Sequence, residues 1–430
     1  MKRILVYSHD TFGLGNIRRM LEIARHLVDS EPEVSVLIIT GSPMLHAFRI
    51  PPRIDYVKLP CLSRNAAGCY GARYLDIDLA TTVRLRANLI RSAVADFAPH
   101  LILVDKKPFG VEDELAAALA ALPADVTRPK LVLLLRDILD SPEATIRVWR
   151  KNRYFEAIDK HYDDVLVVGD AGVFDLRSEY GFPASTADKV HFCGYIGRRP
   201  GRRSRESVRA ELGVTHARPL VLVTAGGGED GDAMISAYVE GLAALPPARR
   251  PRSHIVFGPE MAAEKRDAIA RLAMTMDCVT RQDFSDDMMS LMDAADVVVS
   301  MGGYNTICEL LTLRKRAVVV PRVRPVQEQC IRAERMAEMG LMRFVHPDRL
   351  TPQGLLDAVM LETAALRGNG ENPISLPLDG LEQVGRAIFG LIGTSRRGPA
   401  SRRQQPIPSF TLSLPTWTNF APTVARSASC

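Results

Sequence analysis

One stretch decides the fold: Asp296-Val297-Val298-Val299-Ser300-Met301-Gly302-Gly303-Tyr304-Asn305-Thr306-Ile307-Cys308-Glu309-Leu310-Leu311. It opens with the pattern of a buried strand, and after the glycine pair its apolar spacing becomes that of a helix. A second apolar segment, residues 317–320, stops at Pro321, and a second helix is predicted to begin near Gln327. Both predicted strands therefore end at one edge of a parallel sheet.

That edge is where an open parallel sheet binds ligands, because strand ends, glycine loops and helix amino termini converge there. Gly302 and Gly303 would let the backbone approach a ligand, and the free N–H groups that start the Asn305 helix would favour an anion such as a diphosphate. Glu309, about one turn into that helix, could accept two hydrogen bonds from a ribose diol. The same residue types also allow a plain turn followed by a solvated glutamate.

Three segments at this edge carry a family resemblance. Residues 302–309, then Val320-Pro321-Arg322, then residues 328–333 resemble, in that order, the donor-site signature of GT-B glycosyltransferases related to glycosyltransferase family 28. The resemblance implies an α/β fold of two doubly wound Rossmann-like domains that face each other across a cleft. It also implies that the nucleotide sugar binds to the carboxyl-terminal domain and that the acceptor meets it in the cleft.

The composition is that of a globular protein without a nucleic-acid-binding character. The chain has 430 residues, which favours two domains, and 47% of them are hydrophobic. The net charge of +5 comes from the last 37 residues, 394–430, which hold five arginines and no acidic residue, so the remainder is neutral (50 basic against 50 acidic residues). We therefore expect no nucleic-acid partner for the folded part.

The seven cysteines are scattered, with no Cys-x-x-Cys pair, which argues against a disulfide framework or a zinc site. No apolar run reaches the roughly 18 residues of a membrane span, and the amino terminus has the pattern of a short strand instead of a signal peptide. We expect a cytoplasmic protein, with no cofactor and no metal.

Strands alternate with helices along the chain, as in a parallel sheet covered on both faces. The pattern predicts four segments: an amino-terminal domain over residues 1–196, an Arg-rich linker over 197–209, a carboxyl-terminal domain over 210–393 and a disordered basic tail over 394–430. The final predicted helix, residues 381–392, is amphipathic, and in GT-B proteins such a helix often crosses back onto the first domain.

The catalytic candidates lie in the amino-terminal domain. The loop Ser8-His9-Asp10-Thr11-Phe12-Gly13-Leu14-Gly15-Asn16 resembles the glycine loop that faces the cleft in this family, which gives Gly13, Gly15 and Asn16 a role on the acceptor side. The family usually has histidine where this chain has Asn16, and an asparagine cannot accept a proton near neutral pH. Asp10 is then the first candidate for the base and His9 the second, with loop capping as the alternative.

Asp105 is a third candidate for the base, because it directly follows a predicted strand, residues 101–104, and would face the cleft. Its alternative role is to cap the following helix.

The resemblance also assigns the donor side. Three consecutive glycines after a predicted strand would wrap the diphosphate, and a segment that begins at Phe284 would read the uracil edge through its backbone. The predicted donor-binding residues are Gly226, Gly227, Gly228, Phe284, Met288, Gly302, Gly303, Asn305, Thr306, Glu309, Glu328, Gln329 and Arg332. Among them, Gln329 would contact sugar hydroxyls and Arg332 would support the phosphate region; a plain surface helix is the alternative for both.

The resemblance, taken with these patterns, implies an inverting, metal-independent glycosyltransferase that moves N-acetylglucosamine or a similar hexose from a UDP-sugar to a cell-surface or polysaccharide acceptor, either a glycan or a lipid-linked molecule. Two alternatives stay open: a non-hydrolysing UDP-sugar 2-epimerase, and a nucleotide-sugar-binding protein without transferase activity.

Peripheral contact with the inner face of the membrane is a further hypothesis. It rests on the basic tail and on residues 147–155, which mix cations with aromatic side chains as membrane-facing helices do.

Overall fold

The protein was analysed as a computed structural model, which describes residues 1–9, 15–43, 45, 48–64, 69–214, 218–365 and 375–393. The predicted tail, residues 394–430, lies outside the described residues. Within the described ranges, no helix has the length and apolar character needed to cross a membrane.

The first half of the chain forms a parallel sheet of seven strands with the order β3-β2-β1-β6-β7-β8-β9, and a separate antiparallel hairpin of β4 and β5. The strands are β1 (Lys2–Ser8), β2 (Val34–Thr40), β3 (Ile54–Lys58), β4 (Leu62–Arg64), β5 (Tyr70–Ala72), β6 (Leu101–Asp105), β7 (Lys130–Arg136), β8 (Asp164–Val168) and β9 (Val190–Phe192). The order reverses between β1 and β6, so the loops after these two strands open a crevice at the carboxyl edge of the sheet.

The second half forms a parallel sheet of six strands with the order β12-β11-β10-β13-β14-β15. Its strands are β10 (Leu220–Thr224), β11 (Arg252–Val256), β12 (Val279–Gln282), β13 (Val297–Ser300), β14 (Arg316–Val319) and β15 (Arg343–Phe344). Here the order reverses between β10 and β13, which places the Gly226 loop and the Gly302 loop side by side.

Helices cover both sheets. In the first half they are α1 (Gly15–Ser30), α2 (Leu79–Phe97), α3 (Ala116–Ala120), α4 (Pro142–Lys151), α5 (Tyr154–His161), α6 (Leu176–Glu179) and α7 (Ala184–Ala187). In the second half they are α8 (Arg205–Glu211), α9 (Asp232–Ala244), α10 (Ala263–Ala273), α11 (Met288–Ala294), α12 (Tyr304–Thr312), α13 (Glu328–Glu338), α14 (Pro352–Ala365) and α15 (Gly380–Ile392). Short 3-10 turns occupy Val111–Asp113, Pro247–Arg249 and Pro347–Arg349.

Helix α15 packs on the first half of the molecule, although it comes last in the described chain. Its apolar face, through Val384 and Ile388, joins a buried cluster that contains Ile4 of β1 and Ala24 of α1. A Cβ atom on Gly385 would lie 3.0 Å from the His26 ring, so α15 and α1 approach closely there. The crossing expected from the family resemblance is present.

The sequence pattern also predicts a helix over residues 112–121, and in the structure this helix is interrupted. Only Ala116–Ala120 is α-helical, and Glu112 and Asp113 have positive φ values of 47° and 57°. The interruption has a tertiary cause, because the Tyr7 hydroxyl accepts a hydrogen bond from the Val111 N–H at 2.9 Å and donates to Glu114 at 2.6 Å. These two hydrogen bonds to Tyr7 hold the segment from Val111 to Glu114 in a conformation other than an α-helix.

The prediction that residues 147–155 contact the membrane is wrong for the aromatic side chains of this segment. Trp149, Tyr154 and Phe155 are buried at 4%, 3% and 8% exposure, and Trp149 packs on both of the others and on Phe182. The aromatic side chains form the core contact between α4 and α5. The basic side chains between them, such as Arg147 and Arg150, are exposed.

Candidate functional site

The carboxyl edges of the two sheets meet across a cleft, and a buried ion pair joins them. Arg332 of α13 donates through Nε and Nη2 to the two carboxylate oxygens of Asp137, each at 2.7 Å, and through Nη1 to the Gly302 carbonyl at 2.8 Å. Tyr195 donates to the same carboxylate at 3.1 Å. Because both ionic side chains are fully buried and each is satisfied by hydrogen bonds, this contact fixes the Gly302 loop against the strand end of β7.

The two glycine loops of the second half converge as the resemblance implied. Gly226, Gly228 and Gly258 have φ values of 68°, 99° and 97°, which suit glycine alone. A Cβ atom at Gly226 would lie 4.0 Å from Thr306 Oγ1 of α12, so the loop after β10 touches the first turn of that helix. Gly227 lies beside Glu260, whose carboxylate would be 3.1 Å from a Cβ at that position.

Helix α12 begins at Tyr304, with Gly303 as its amino-terminal cap and no side-chain cap among the described residues. Its first N–H groups are therefore available to a ligand, and the helix dipole favours an anion there. Asn305, by contrast, is engaged across the cleft, because its amide nitrogen donates to Gly15 O at 3.0 Å and its oxygen accepts from Arg198 at 2.6 Å. A direct donor contact by the Asn305 side chain stays a prediction that needs these bonds to open.

Glu309 lies deep in the cleft and faces the first half of the molecule. Its side chain is 3% exposed, and its carboxylate pairs at 2.7 Å with Arg18 of α1, whose side chain is 36% exposed. The carboxylate that is predicted to bind the ribose therefore lies in the cleft, but Arg18 of the opposite half is paired with it. A ribose can reach Glu309 only by replacing Arg18 or by sharing the carboxylate with it.

Glu328 and Gln329 open α13 on the other side of the Gly302 loop. Glu328 pairs with Arg136 of β7 at 2.6 Å. Burial opposes ionisation of this carboxyl, but the surrounding cations, Arg136 foremost, outweigh it and lower its pKa to about 2. The Gln329 carbonyl would lie 2.8 Å from a Cβ on Gly302, so only glycine at 302 allows α13 to start this close.

Arg332 is placed differently from its predicted role, whereas the Phe284 segment is not. All Arg332 nitrogens are bonded inside the protein, so the geometry does not favour the predicted support of the phosphate. The exposed Phe284 follows Asp283, whose carbonyl accepts from Gly258 at 2.9 Å, and Met288 starts α11. This segment therefore begins next to the glycine loops, as uracil recognition would require, and that role stays a prediction.

On the acceptor side, Asp10 and Gly13 lie outside the described residues, so the first candidate for the base is not placed. Asp105 is buried, with its carboxylate 2.6 Å from Arg19 of α1 and 3.3 Å from the His9 N–H. That pairing favours a structural role for Asp105. His9 is itself 4% exposed at the end of β1.

Asn16 has a local role in the same loop. Its amide nitrogen donates to the His9 carbonyl at 2.8 Å, and its oxygen accepts from Arg19 at 3.4 Å. The asparagine therefore fixes the backbone at His9, and Gly15, the first residue of α1, brings this loop to Asn305.

Sequence reasoning missed two residues of the cleft, Arg18 and Asp137. Asp137 carried a signal, since it directly follows the Leu-rich strand β7 just as Asp105 ends β6. Arg18 carried none, because its partner lies in the other half of the chain. In the described ranges, no cluster of three or more His, Cys, Asp or Glu is arranged to hold a metal ion.

Comparisons with known proteins agree with this geometry. Residues 220–366 match the model of the glycosyltransferase family 28 C-terminal domain. The matched segment runs from β10 through both glycine loops, Glu309 and α13, so it contains all of the predicted donor residues.

Two relatives match part of the chain. An uncharacterized glycosyltransferase of Methanopyrus kandleri is 31% identical over 199 residues, which cover 46% of this chain and 52% of that protein. The UDP-N-acetylglucosamine--N-acetylmuramyl-(pentapeptide) pyrophosphoryl-undecaprenol N-acetylglucosamine transferase of Chromohalobacter salexigens is 29% identical over 152 residues, which cover 35% of this chain and 41% of the relative. The chain therefore spans about half the length of the relatives it matches, or less.

Solved structures extend the likeness to the fold of both halves. The crystal structure of MurG from Acinetobacter baumannii aligns with a TM-score of 0.55 and 14% identity over 91% of this chain and 100% of that one. The glycotransferase of kitacinnamycin aligns with a TM-score of 0.58 and 18% identity over 91% and 97% of the two chains. The chain thus has the GT-B fold of two Rossmann-like halves, and its residues 220–366 match the glycosyltransferase family 28 carboxyl-terminal domain.

Proposed function

We propose that this protein is a glycosyltransferase that transfers a hexose, N-acetylglucosamine or a close relative, from a UDP-sugar to a cell-surface or polysaccharide acceptor. The observation that carries the proposal is the convergence of the Gly226 loop, the open amino terminus of α12 and Glu309 within one family 28 domain. The loop and the helix end offer N–H groups to a diphosphate, and Glu309 offers a carboxylate to a ribose.

The charge distribution supports donor binding in this orientation. The uncapped turn at Tyr304 carries partial positive charge, and Thr306 lies beside Gly226, so a diphosphate would rest between the two loops. The ribose would then extend along α12 towards Glu309. Glu328 and Gln329, at the start of α13, are proposed to hold the sugar at the cleft.

The mechanism we propose needs the protein's own groups alone. Backbone N–H groups and the helix dipole stabilise the charge on the departing diphosphate. A base on the first half removes the acceptor proton, and one displacement inverts the anomeric carbon. We place the enzyme in the cytoplasm with a lipid-linked or glycan acceptor at the inner face of the membrane, because one of the matched relatives is named for transfer to an undecaprenol-linked substrate.

Calorimetric titration with UDP, ADP and GDP tests the donor class. We expect UDP to bind selectively, and Glu309→Ala to weaken its binding about tenfold, or about 1.4 kcal/mol, because a charged acceptor of ribose hydroxyls is lost. Glu240→Ala is the matched control, since Glu240 is exposed on α9 of the same half and should leave the affinity for UDP unchanged.

Two experimental results would contradict the proposed function. If none of the three nucleotides binds to the wild type, the donor-site assignment of residues 302–309 is wrong. If UDP binds but no sugar is transferred to any membrane extract, the protein is a nucleotide-sugar-binding protein instead.

A further inference from the structure

Lys106 has an unusual position at the carboxyl edge of the first sheet. It directly follows β6 and has a φ of 72°, in the left-handed region that a non-glycine residue seldom adopts. Its N–H donates to the Leu134 carbonyl at 2.9 Å, which ties the turn to β7. Such a conformation is retained where the surrounding structure enforces it, often at functional sites.

The Lys106 side chain lies among charged groups from both halves of the molecule. Arg136 faces it from β7 and Glu328 faces it from α13, while Asp105 and Lys107 are its neighbours along the chain. Glu328 is already committed to Arg136 at 2.6 Å. Within the described part of the chain, no hydrogen bond or ion pair engages the half-buried Lys106 amine.

The surroundings also favour the neutral amine. Burial is the main cause and the Arg136 charge the second, and together with Lys107 they outweigh Glu328 and Asp105, so that the pKa of Lys106 falls to about 7. At neutral pH, therefore, a large fraction of the Lys106 side chains carries a lone pair that can accept a proton.

We propose that Lys106 is the catalytic base that deprotonates the acceptor. This inference rests on the proposed glycosyltransferase function and adds a residue to it. Lys106 belongs to the half opposite the donor domain, yet it faces Glu328, the residue proposed to hold the donor sugar with Gln329. Its amine is thus on the side of the sugar from which an acceptor hydroxyl must attack.

The proton balance of the step is simple. The acceptor oxygen forms a bond to the anomeric carbon while its proton moves to the neutral Lys106 amine, which becomes an ammonium ion. The bond between that carbon and the diphosphate oxygen breaks, and UDP leaves with the electron pair. The ammonium then returns its proton to solvent before the next turnover.

The arrangement distinguishes Lys106 from Asp105, its neighbour. Both oxygens of Asp105 face protein donors, Arg19 and the His9 N–H, whereas within the described residues no hydrogen bond or ion pair engages the half-buried Lys106 amine. Because both oxygens of Asp105 already accept hydrogen bonds from the protein, a substrate hydroxyl would have to displace one of these donors to reach the carboxylate.

The first test measures UDP release from UDP-N-acetylglucosamine with water as the acceptor, across pH 5 to 9. We expect kcat/KM of the wild type to rise through a pKa of about 7. Lys106→Gln and Lys106→Arg should each lower it about 100-fold or more, the usual contribution of a general base, and remove the rise with pH. Ethylamine should restore part of the rate to Lys106→Ala. The control Lys151→Gln removes an exposed charge on α4 and should behave as the wild type.

The second test measures the ionisation of the amine directly. Acylation of the native protein by acetic anhydride, followed by mass spectrometry at each pH, should give Lys106 a midpoint near pH 7 and Lys151 one near the ordinary lysine value of about 10.4. Thermal unfolding of each variant checks that loss of activity is not loss of fold.

The outcomes separate the two proposals. If UDP binds as expected but Lys106→Gln retains the rate and the pH profile of the wild type, Lys106 is not the base and the proposed function stands. If the wild type binds UDP but releases none from the sugar nucleotide, or if Lys106 acylates with a midpoint near pH 10, the assignment is also overturned. If UDP does not bind at all, the proposed function fails first and the role of Lys106 fails with it.

Discussion

Two of the arginine–carboxylate pairs that join the halves, Arg332–Asp137 and Arg18–Glu309, differ in almost everything except their chemistry. Arg332 and Asp137 are both fully buried, and the guanidinium uses all of its nitrogens on the carboxylate and on Gly302. Arg18 and Glu309 meet at 2.7 Å, but Arg18 is one-third exposed. The first pair holds the two halves together permanently, whereas the second can exchange its partner for a ligand.

The difference shows why an ion pair alone does not mark a functional site. A fully buried pair that loses one member leaves an uncompensated charge, so it is fixed once formed. A pair with one exposed member contributes little to stability and separates readily. The carboxylate that we propose to bind the donor therefore belongs to the pair that contributes less to stability.

The largest expected effect comes from breaking the buried pair. Arg332→Ala should lower the free energy of unfolding by about 3–5 kcal/mol, because Asp137 is left charged and buried. Urea-induced unfolding followed by circular dichroism measures the change. The double variant Arg332→Met with Asp137→Leu should regain much of the loss, and a double variant as unstable as the single one would contradict this account.

A smaller effect is expected from Glu328, which lies between the two pairs. Its cations hold its pKa at about 2, below the ordinary value of about 4.3, so its stabilisation is complete above about pH 5 and is lost as the pH falls towards 2. Glu328→Gln should remove this part of the pH dependence, about 2–3 kcal/mol, from the unfolding free energy measured between pH 5 and pH 2. An unchanged acid dependence in the variant would mean that Glu328 is not held by these cations.

The smallest effect is expected from the exposed member of the second pair. Arg18→Ala should change the unfolding free energy by no more than about 1 kcal/mol. It should also tighten UDP binding by up to about fivefold, because the ribose no longer competes with the arginine for Glu309. Calorimetry with UDP measures this, with Arg25→Ala on the same helix as the control. Weaker binding in Arg18→Ala would instead show that Arg18 moves onto the phosphates.

The local order of the cleft could be predicted from the sequence, but its cross-chain contacts could not. The strand pattern before Gly302 and the helix after it agree with the observed Val297–Ser300 and Tyr304–Thr312 to within a residue. Those patterns are local, since apolar period and glycine turns are read from neighbours along the chain. The partner of Glu309 comes from α1, and no local pattern connects the two.

Two failures have the same physical origin. The helix expected over residues 112–121 is interrupted by Tyr7, a residue about a hundred positions earlier that binds Val111 and Glu114. In the sequence, the aromatic residues of α4 and α5 resemble a membrane-facing surface. In the structure, Trp149 and Phe155 pack against Phe182. In each case a tertiary contact overrides a pattern that is correct for an isolated segment.

Helix α15 has a consequence for the order in which this protein is made. The ribosome releases the first half of the chain early, at about 5–20 residues per second, but the apolar surface of α1 and β1 stays incomplete until Gly380–Ile392 has been translated. The nascent first half therefore exposes this apolar surface to solvent while the second half is synthesised and folds. A chain that terminates prematurely before residue 380 would leave that surface uncovered, which makes it a natural substrate for chaperones and proteases.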